Sequence, residues 1–386
     1  MRRGFRAVAL ALALLTLGGC AARMATADDG AVELFAVNVG KGDALILRVG
    51  ETACLIDAGQ AWARGRVRSA LDRMDIDRLD AVFLTHTDDD HAGGLEWLAA
   101  GDVSVGAWYA SAMYKGGKAG KHPAVKAAGD DVRWLRRGDS VPLGNGATLS
   151  VLAPASRFDD EDDTSLVLML DSAQGRILLT GDMELPEEAE LLGQGDDLRC
   201  AVLKVPNHAD GDTVSAAFAR ACAAQIAVVS TDSAEKPETP DPGVVSRLQA
   251  AGGNVVVTQD SELGILVTLK NGSATAEFVD FGAPPVEGVS IADVDAGDDT
   301  VTLRNAASSA VSLAGWYLYS DKGGEMMVFD DASIGPGATL TVGTNSTDGD
   351  YDVLWDDKKV INRKKEDVIY LYDSWGRVVD RMGNGM

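Results

Sequence analysis

The sequence predicts a layered α/β domain followed by a small all-β sandwich, and three observations carry that expectation. Strand-like and helix-like segments alternate from Val32 to about Phe281, the pattern of sheets covered by helices. A Pro/Gly break, GAPPVEG at 282–288, then interrupts the chain as a linker. Beyond it, over 289–386, helical spacing disappears and short β-type runs recur between turn residues. At 386 residues the chain is long for one domain, so two units suit its length.

The first unit, 32–281, opens with VELFAVNV, DALILRV and TACLID, short β-type runs separated by Gly-containing turns. WARGRVRSALDRM follows with helical spacing, placing Val67, Leu71 and Met74 on one side. LDAVFLT reads as a buried strand, AGGLEWLAA as a helix start and VSVGAWYAS as a strand. TSLVLMLD and GRILLTGD read as paired strands, then LPEEAELL as a helix, CAVLKV as a strand and TVSAAFARACAA as a helix. The strand IAVVST, the helix PGVVSRLQAAG and the strands NVVVTQD, GILVTLK and ATAEFVD close the unit. In the second unit VSIADV, TVTLRNA, AVSLAGWYLYS, EMMVFD, ATLTVGT and DVIYLYD are the strands, with Trp316 as core aromatic. No repeat of solenoid or propeller type is present.

Ahead of these units lies MRRGFRAVALALALLTLGGC. Its apolar stretch is shorter than the ~20 residues that cross a bilayer, and its length suits the core of a signal peptide. The closing LGGC resembles the lipobox of bacterial lipoproteins. That resemblance implies a signal peptide at 1–19, lipidation of Cys20, a polar tether at 20–31, and an exported protein anchored to the membrane on its extracytoplasmic side. Loss of the leader would take Arg2, Arg3 and Arg6 from a chain already at a net charge of −24. Such a balance works against loose attraction to polyanions or anionic membranes, so a nucleic-acid substrate would need local holding. Cys54 reads as a buried thiol in an apolar run, while Cys200 and Cys222 are either a bridge or two free thiols.

The chemistry centres on THTDDDHAGG, directly after the apolar run LDAVFL. Carboxylates this close repel unless a cation, a proton or open water lies among them, so the choice is between a solvated acidic turn and a metal site. Alternate residues of an extended loop point the same way, so His86, Asp88 and Asp90 can converge, with His91 joining as a helix begins. A mixed imidazole and carboxylate set suits zinc or manganese.

The run resembles the HxHxDH signature of the metallo-β-lactamase fold, with Asp88 replacing the second histidine. That variant is similar to the hydrolase domain of ComEC-type competence proteins. VNVGKGDALIL resembles their VGQGDA segment, with Lys41 where glutamine is usual; LIDAG resembles the fold's first motif and contributes Asp57. LLTGDM supplies Asp182 in the place of a metal-bridging aspartate, and LKVPNHADG resembles the HHGS segment, giving His208. The resemblance implies a four-layer αββα fold and a metal-dependent hydrolase, a phosphodiesterase or nuclease acting on DNA or nucleotides through water activated to hydroxide by two divalent metal ions. It implies Asp90, His91, Asp182 and His208 around one ion and His86, Asp88 and bridging Asp182 around the other. The second set is incomplete, because a further family histidine has no counterpart unless His122 reaches in.

Asp57, Asp43 and Asn207 are expected to support the ligands from behind, with Asn207 replacing the first histidine of the HHGS pair. Asp163 stands where asparagine is usual. Asp90 and Lys41 are the candidate catalytic groups, with either metal-bound water or Lys41 as proton donor to the leaving oxygen. YKGGKAGKHPAVK places Lys115, Lys118, Lys121 and Lys126 in an otherwise acidic protein, a candidate phosphate-gripping loop or an ordinary solvated one.

The second unit resembles the lamin-tail domain, an immunoglobulin-like sandwich, through DDTVTLRNAASSAVSLAGWYLYS, IGPGATLTV and VIYLYDSWGRVVD. Such a domain would bind protein, nucleic acid or a cell-surface polymer, and the locally basic DDKKVINRKKED reads as a solvated hairpin or a contact for such a polymer. Two other readings stand beside the nuclease: a metal-poor, non-catalytic surface binding protein, and a hydrolase of another substrate such as β-lactams.

Overall fold

A computed structural model describes residues 30–114, 125–126, 132–156 and 164–385. Strand Val32–Val37 shows how the first unit is built. Val32, Leu34 and Ala36 point to one core, while Phe35 and Val37 point to another. The two-residue period of a strand thus buries both faces of the sheet.

That sheet has eight strands, running Ser273–Val279, Gly264–Lys270, Val32–Val37, Leu45–Val49, Thr52–Ile56, Ala81–Leu84, Trp108–Ser111 and Val132–Leu135 in spatial order. A seven-stranded sheet packs against it, in the order Asn254–Val257, Ile226–Val229, Val202–Lys204, Gly175–Leu179, Val167–Ser172, Ala147–Ala153 and Ser140–Gly144. Leu34, Leu47 and Phe83 of the first sheet meet Leu149, Leu168 and Val228 of the second in one core. Helix α1 (Arg64–Arg73) covers the outer face of the first sheet, and its predicted stripe Val67, Leu71, Met74 is buried there. Phe218 of Ala216–Cys222 and Leu248 of Pro242–Ala250 cover the outer face of the second. Helix, sheet, sheet, helix is the four-layer arrangement expected.

VSVGAWYAS is not one strand. Ser104–Val105 pairs with Arg78–Leu79, and Trp108–Ser111 joins the main sheet beside Ala81–Leu84. The break falls at Gly106, whose N–H donates to the Leu79 carbonyl and whose missing Cβ leaves room for the Asp80 carbonyl.

The C-terminal unit has two four-stranded sheets. One orders Val289–Asp295, Thr300–Asn305, Thr339–Thr344 and Val353–Trp355; the other orders Met326–Val328, Tyr317–Ser320, Val368–Tyr372 and Val378–Gly383. Trp316 is buried in the core between them. The basic DDKKVINRKKED segment is an irregular loop rather than a hairpin. Buried Asp299 accepts backbone hydrogen bonds from Val360 and Ile361, which pins the loop's centre while Lys358, Lys359, Arg363, Lys364 and Lys365 stay exposed. No helix among the described residues is long and apolar enough to cross a membrane.

Candidate metal centre

The centre lies where strand ends of both sheets meet. Ala81–Leu84 delivers Thr85 and His86; the short helix α2 (Asp89–Ala92) follows and carries Asp90 and His91. Asp182 comes just after Gly175–Leu179, and His208 after Val202–Lys204. Single ligand atoms from Asp90, His91, Asp182 and His208 all lie within 4.8 Å of one another. His208 Nε2 is 2.9 Å from Asp182 Oδ2 and 3.5 Å from Asp90 Oδ2, and His91 Nε2 is 3.2 Å from Asp182 Oδ1.

Both imidazoles are held from behind. His91 Nδ1 lies 2.8 Å from Asp57 Oδ2, and His208 Nδ1 lies 2.7 Å from the Ser230 carbonyl. A carbonyl only accepts, so His208 Nδ1 carries the proton, and the Asp57 carboxylate assigns the same tautomer to His91. Each Nε2 is thereby turned inward, where a cation would take the place of its proton. Asp57 is fixed in turn by the Thr85 amide at 2.8 Å and the Thr85 hydroxyl at 2.6 Å. Two imidazole nitrogens and two carboxylates, so oriented, fit a divalent cation.

The backbone is strained where it presents His208. Asn207, His208 and Ala209 have φ of 40°, 54° and 64°, and Asp57 has 57°. Left-handed non-glycine residues cost ~1–3 kcal/mol each and gather at functional sites. The loop bearing Asp43 closes over α2: the Asp43 amide donates to the Asp90 carbonyl at 3.1 Å, and a Cβ on Gly42 would collide with that same carbonyl.

The charges are mutually arranged. Burial by itself raises the Asp90 carboxyl, yet the hydrogen bond from His208 and the charges of His91 and His208 hold it well below the carboxylate range. Burial opposes a charge on His91 as well, but Asp182 and Asp57 outweigh it and push the imidazole well above its ordinary value. His86, ringed by the same groups, goes the other way, because burial and the neighbouring His91 both disfavour its charge.

Some expected residues lie apart from the four. Asp88 is exposed at the N-cap of α2 and is not among the four converging residues. The extended alternation assumed for this loop ends there because the helix begins at Asp89. His86 is buried, with Nε2 4.0 Å from Asp182 Oδ2 and Nδ1 3.0 Å from the Thr85 hydroxyl. Asp43 pairs with Lys204 and stands 4.0 Å from His91 Nδ1. Asn207 donates to Glu184 Oε1 at 3.0 Å. Lys41 Nζ is 2.5 Å from Asp90 Oδ2, at the rim. Lys126 is exposed. Cys20, Lys115, Lys118, Lys121, His122 and Asp163 lie outside the described residues.

One residue escaped the reading of the sequence. Lys204 is fully buried, paired with Asp43, 2.9 Å from the Gly181 carbonyl and 3.5 Å from Asp182 Oδ1. A lysine inside the apolar run CAVLKV was the available signal, since buried lysines are rare unless paired.

The strand order and this centre define a member of the metallo-β-lactamase superfamily; the Metallo-beta-lactamase superfamily model matches residues 37–246, and the chain belongs to that family. Residues 283–385 match the Lamin Tail Domain. Among curated proteins, the chain is 28% identical over 220 residues to "Competence protein ComA" of Neisseria gonorrhoeae, covering 56% of this chain and 29% of that protein. It is 26% identical over 188 residues to "ComE operon protein 3" of Bacillus subtilis, covering 48% and 24%. The match thus spans less than a third of the length of these relatives. Among solved structures, zinc-bound PqqB from Methylobacterium extorquens aligns at 13% identity over 61% of this chain and 99% of its own, with a TM-score of 0.42.

Proposed function

We propose that the chain is an exported, lipid-anchored, metal-dependent hydrolase that cleaves phosphodiester bonds in DNA or nucleotides. The observation that carries this reading is the convergence of Asp90, His91, Asp182 and His208 with both inward-facing Nε2 atoms fixed by partners on Nδ1. Relatives named as competence and recombination proteins support DNA as the substrate class.

A divalent cation held by these four residues would supply Lewis acidity, polarising a phosphoryl oxygen and lowering the pKa of water. The protein's own groups do the rest. Asp90, kept anionic far below the carboxylate range, serves as a ligand rather than a proton store. Lys41 Nζ, partly exposed beside it, faces incoming phosphate and gives its proton to the leaving oxygen as the P–O bond breaks. Its charge also offsets, at the point of reaction, the repulsion a polyanion meets from a chain at −24. His86 with Asp182 offers only part of a second cation position, so one full and one partial occupancy by zinc or manganese is expected. Cys20 is the lipidated residue in this proposal.

Elemental analysis of the purified protein, with turnover measured on DNA, cyclic nucleotides and β-lactams, tests the reading. Bound zinc or manganese with phosphodiester cleavage that Asp182→Asn abolishes supports it. Metal without cleavage, or cleavage of β-lactams alone, overturns the nuclease. Labelling with radioactive palmitate in the producing bacterium, lost in Cys20→Ala, tests the anchor.

A further inference from the structure

The lamin-tail domain is docked beside the centre, and a line of hydrogen bonds connects them. Buried Tyr317 donates from its hydroxyl to the Trp62 carbonyl at 2.7 Å. Trp62 Nε1 donates to Gln60 Oε1 at 2.7 Å, and Gln60 Nε2 donates to the Lys41 carbonyl at 2.9 Å. Lys41 Nζ ends the line on Asp90 Oδ2. Glu235 braces the same turn, accepting from the Lys41 amide at 3.0 Å and from Gln60 Nε2 at 3.1 Å.

The contact that anchors this line is built closely. Tyr372 stacks on Tyr317 with ring centroids 4.7 Å apart and on Trp62 at 6.0 Å. Arg66 spans the seam, donating from Nε to the Gly376 carbonyl at 3.2 Å and from Nη1 to the Asn38 carbonyl at 2.9 Å. α1 approaches so near that a Cβ on Gly65 would sit 2.5 Å from the Gly376 nitrogen. Backbone contact this close leaves the turn at 60–62 little freedom, and the loop at 38–43 rests on that turn.

We propose that the lamin-tail domain is a positioning element of the catalytic centre: through Tyr317, Trp62 and Gln60 it holds Lys41 against Asp90. The domain then acts on the reaction from within the molecule, in addition to any partner its outer faces take. The catalytic part of this inference rests on the hydrolase reading; the mechanical part does not.

The test uses the full chain. Tyr317→Phe keeps the ring and its stacking but removes the donor to Trp62. Amide hydrogen exchange over residues 38–43 should quicken about tenfold, the loss of one buried hydrogen bond, while exchange in strand Val167–Ser172 stays at the wild-type rate. Gly65→Val should raise the same amides further by wedging the seam, and Gln60→Leu should reproduce the effect with the seam intact. Turnover should fall in kcat with KM retained, and Tyr317→Phe should cost nothing more once Lys41→Met is present. Unchanged exchange at 38–43 in Tyr317→Phe and Gln60→Leu overturns the mechanical link; multiplicative losses in the double variant overturn the route through Lys41. If the wild-type protein turns over no phosphodiester, the hydrolase reading fails while the exchange measurement still decides the link.

Discussion

Asp57 Oδ2 lies 2.8 Å from His91 Nδ1, both side chains fully buried, so this carboxylate fixes which imidazole nitrogen faces the cation position. Behind-the-ligand partners of this kind change metal affinity by about 10–100-fold when altered. Asp57→Asn should therefore weaken zinc or manganese binding by that factor while the fold persists. Competition against a chromogenic chelator measures it, and an affinity equal to wild type would show that His91 is oriented by something else.

Lys204 sets a second expectation. Burial disfavours its ammonium, yet Asp43 and Asp182 more than compensate and raise it. Lys204→Met would leave Asp43 buried without its cation, and breaking a buried pair costs about 3–5 kcal/mol. The double variant Lys204→Met with Asp43→Asn should recover part of that loss, because the orphaned charge is gone. Urea unfolding of the metal-free protein separates the two outcomes; additive destabilisation would mean the pair is not energetically coupled.

Protons and cation compete for the same nitrogens. Without a cation, His91 and His208 are both raised above 6.5: burial opposes their charge, but Asp182 outweighs it at each. Binding must expel those protons, so apparent affinity climbs with pH and keeps climbing beyond neutrality, by up to about 100-fold per unit where both are protonated. Isothermal titration in buffers of different ionisation enthalpy counts the protons released. A profile flat above pH ~6.5 would contradict raised imidazoles.

Cys200 and Cys222 are free thiols side by side: the Cys200 thiol donates to the Cys222 carbonyl at 3.9 Å, and the Cys200 side chain beside it, together with burial, drives the Cys222 thiol far up. Cys54, in contrast, is isolated in its strand, and burial pushes it up to about 12. Oxidation should join Cys200 to Cys222 and leave Cys54 reduced. Closing a loop of that size adds ~3 kcal/mol of stability. Thiol counting in denaturant before and after mild oxidation, with Cys54→Ser as reference, reports the pairing; a thiol count unchanged by oxidation would rule it out.

Periodicity and local chemistry determine much of this protein. The stripe Val67, Leu71, Met74 specified α1, alternating apolar runs specified the two-faced sheets, and the Pro/Gly break with loss of helical spacing separated the sandwich. Those properties depend on neighbours in the chain. The order of the motifs named Asp90, His91, Asp182 and His208, because side chains at strand ends in this layered fold are delivered to one place.

Tertiary structure decided the rest, where the outcome depends on residues far apart in sequence. Asp90 reaches the centre from within α2 rather than from an extended loop, because the helix begins at Asp89. Lys204 could be placed only once Asp43 and Asp182 were known to surround it, because a buried ammonium is stable only with partners that a strand's own sequence does not contain. The docking of Tyr317 on Trp62 joins positions 255 residues apart. No local pattern encodes such a meeting; it arises from the packing of two finished surfaces.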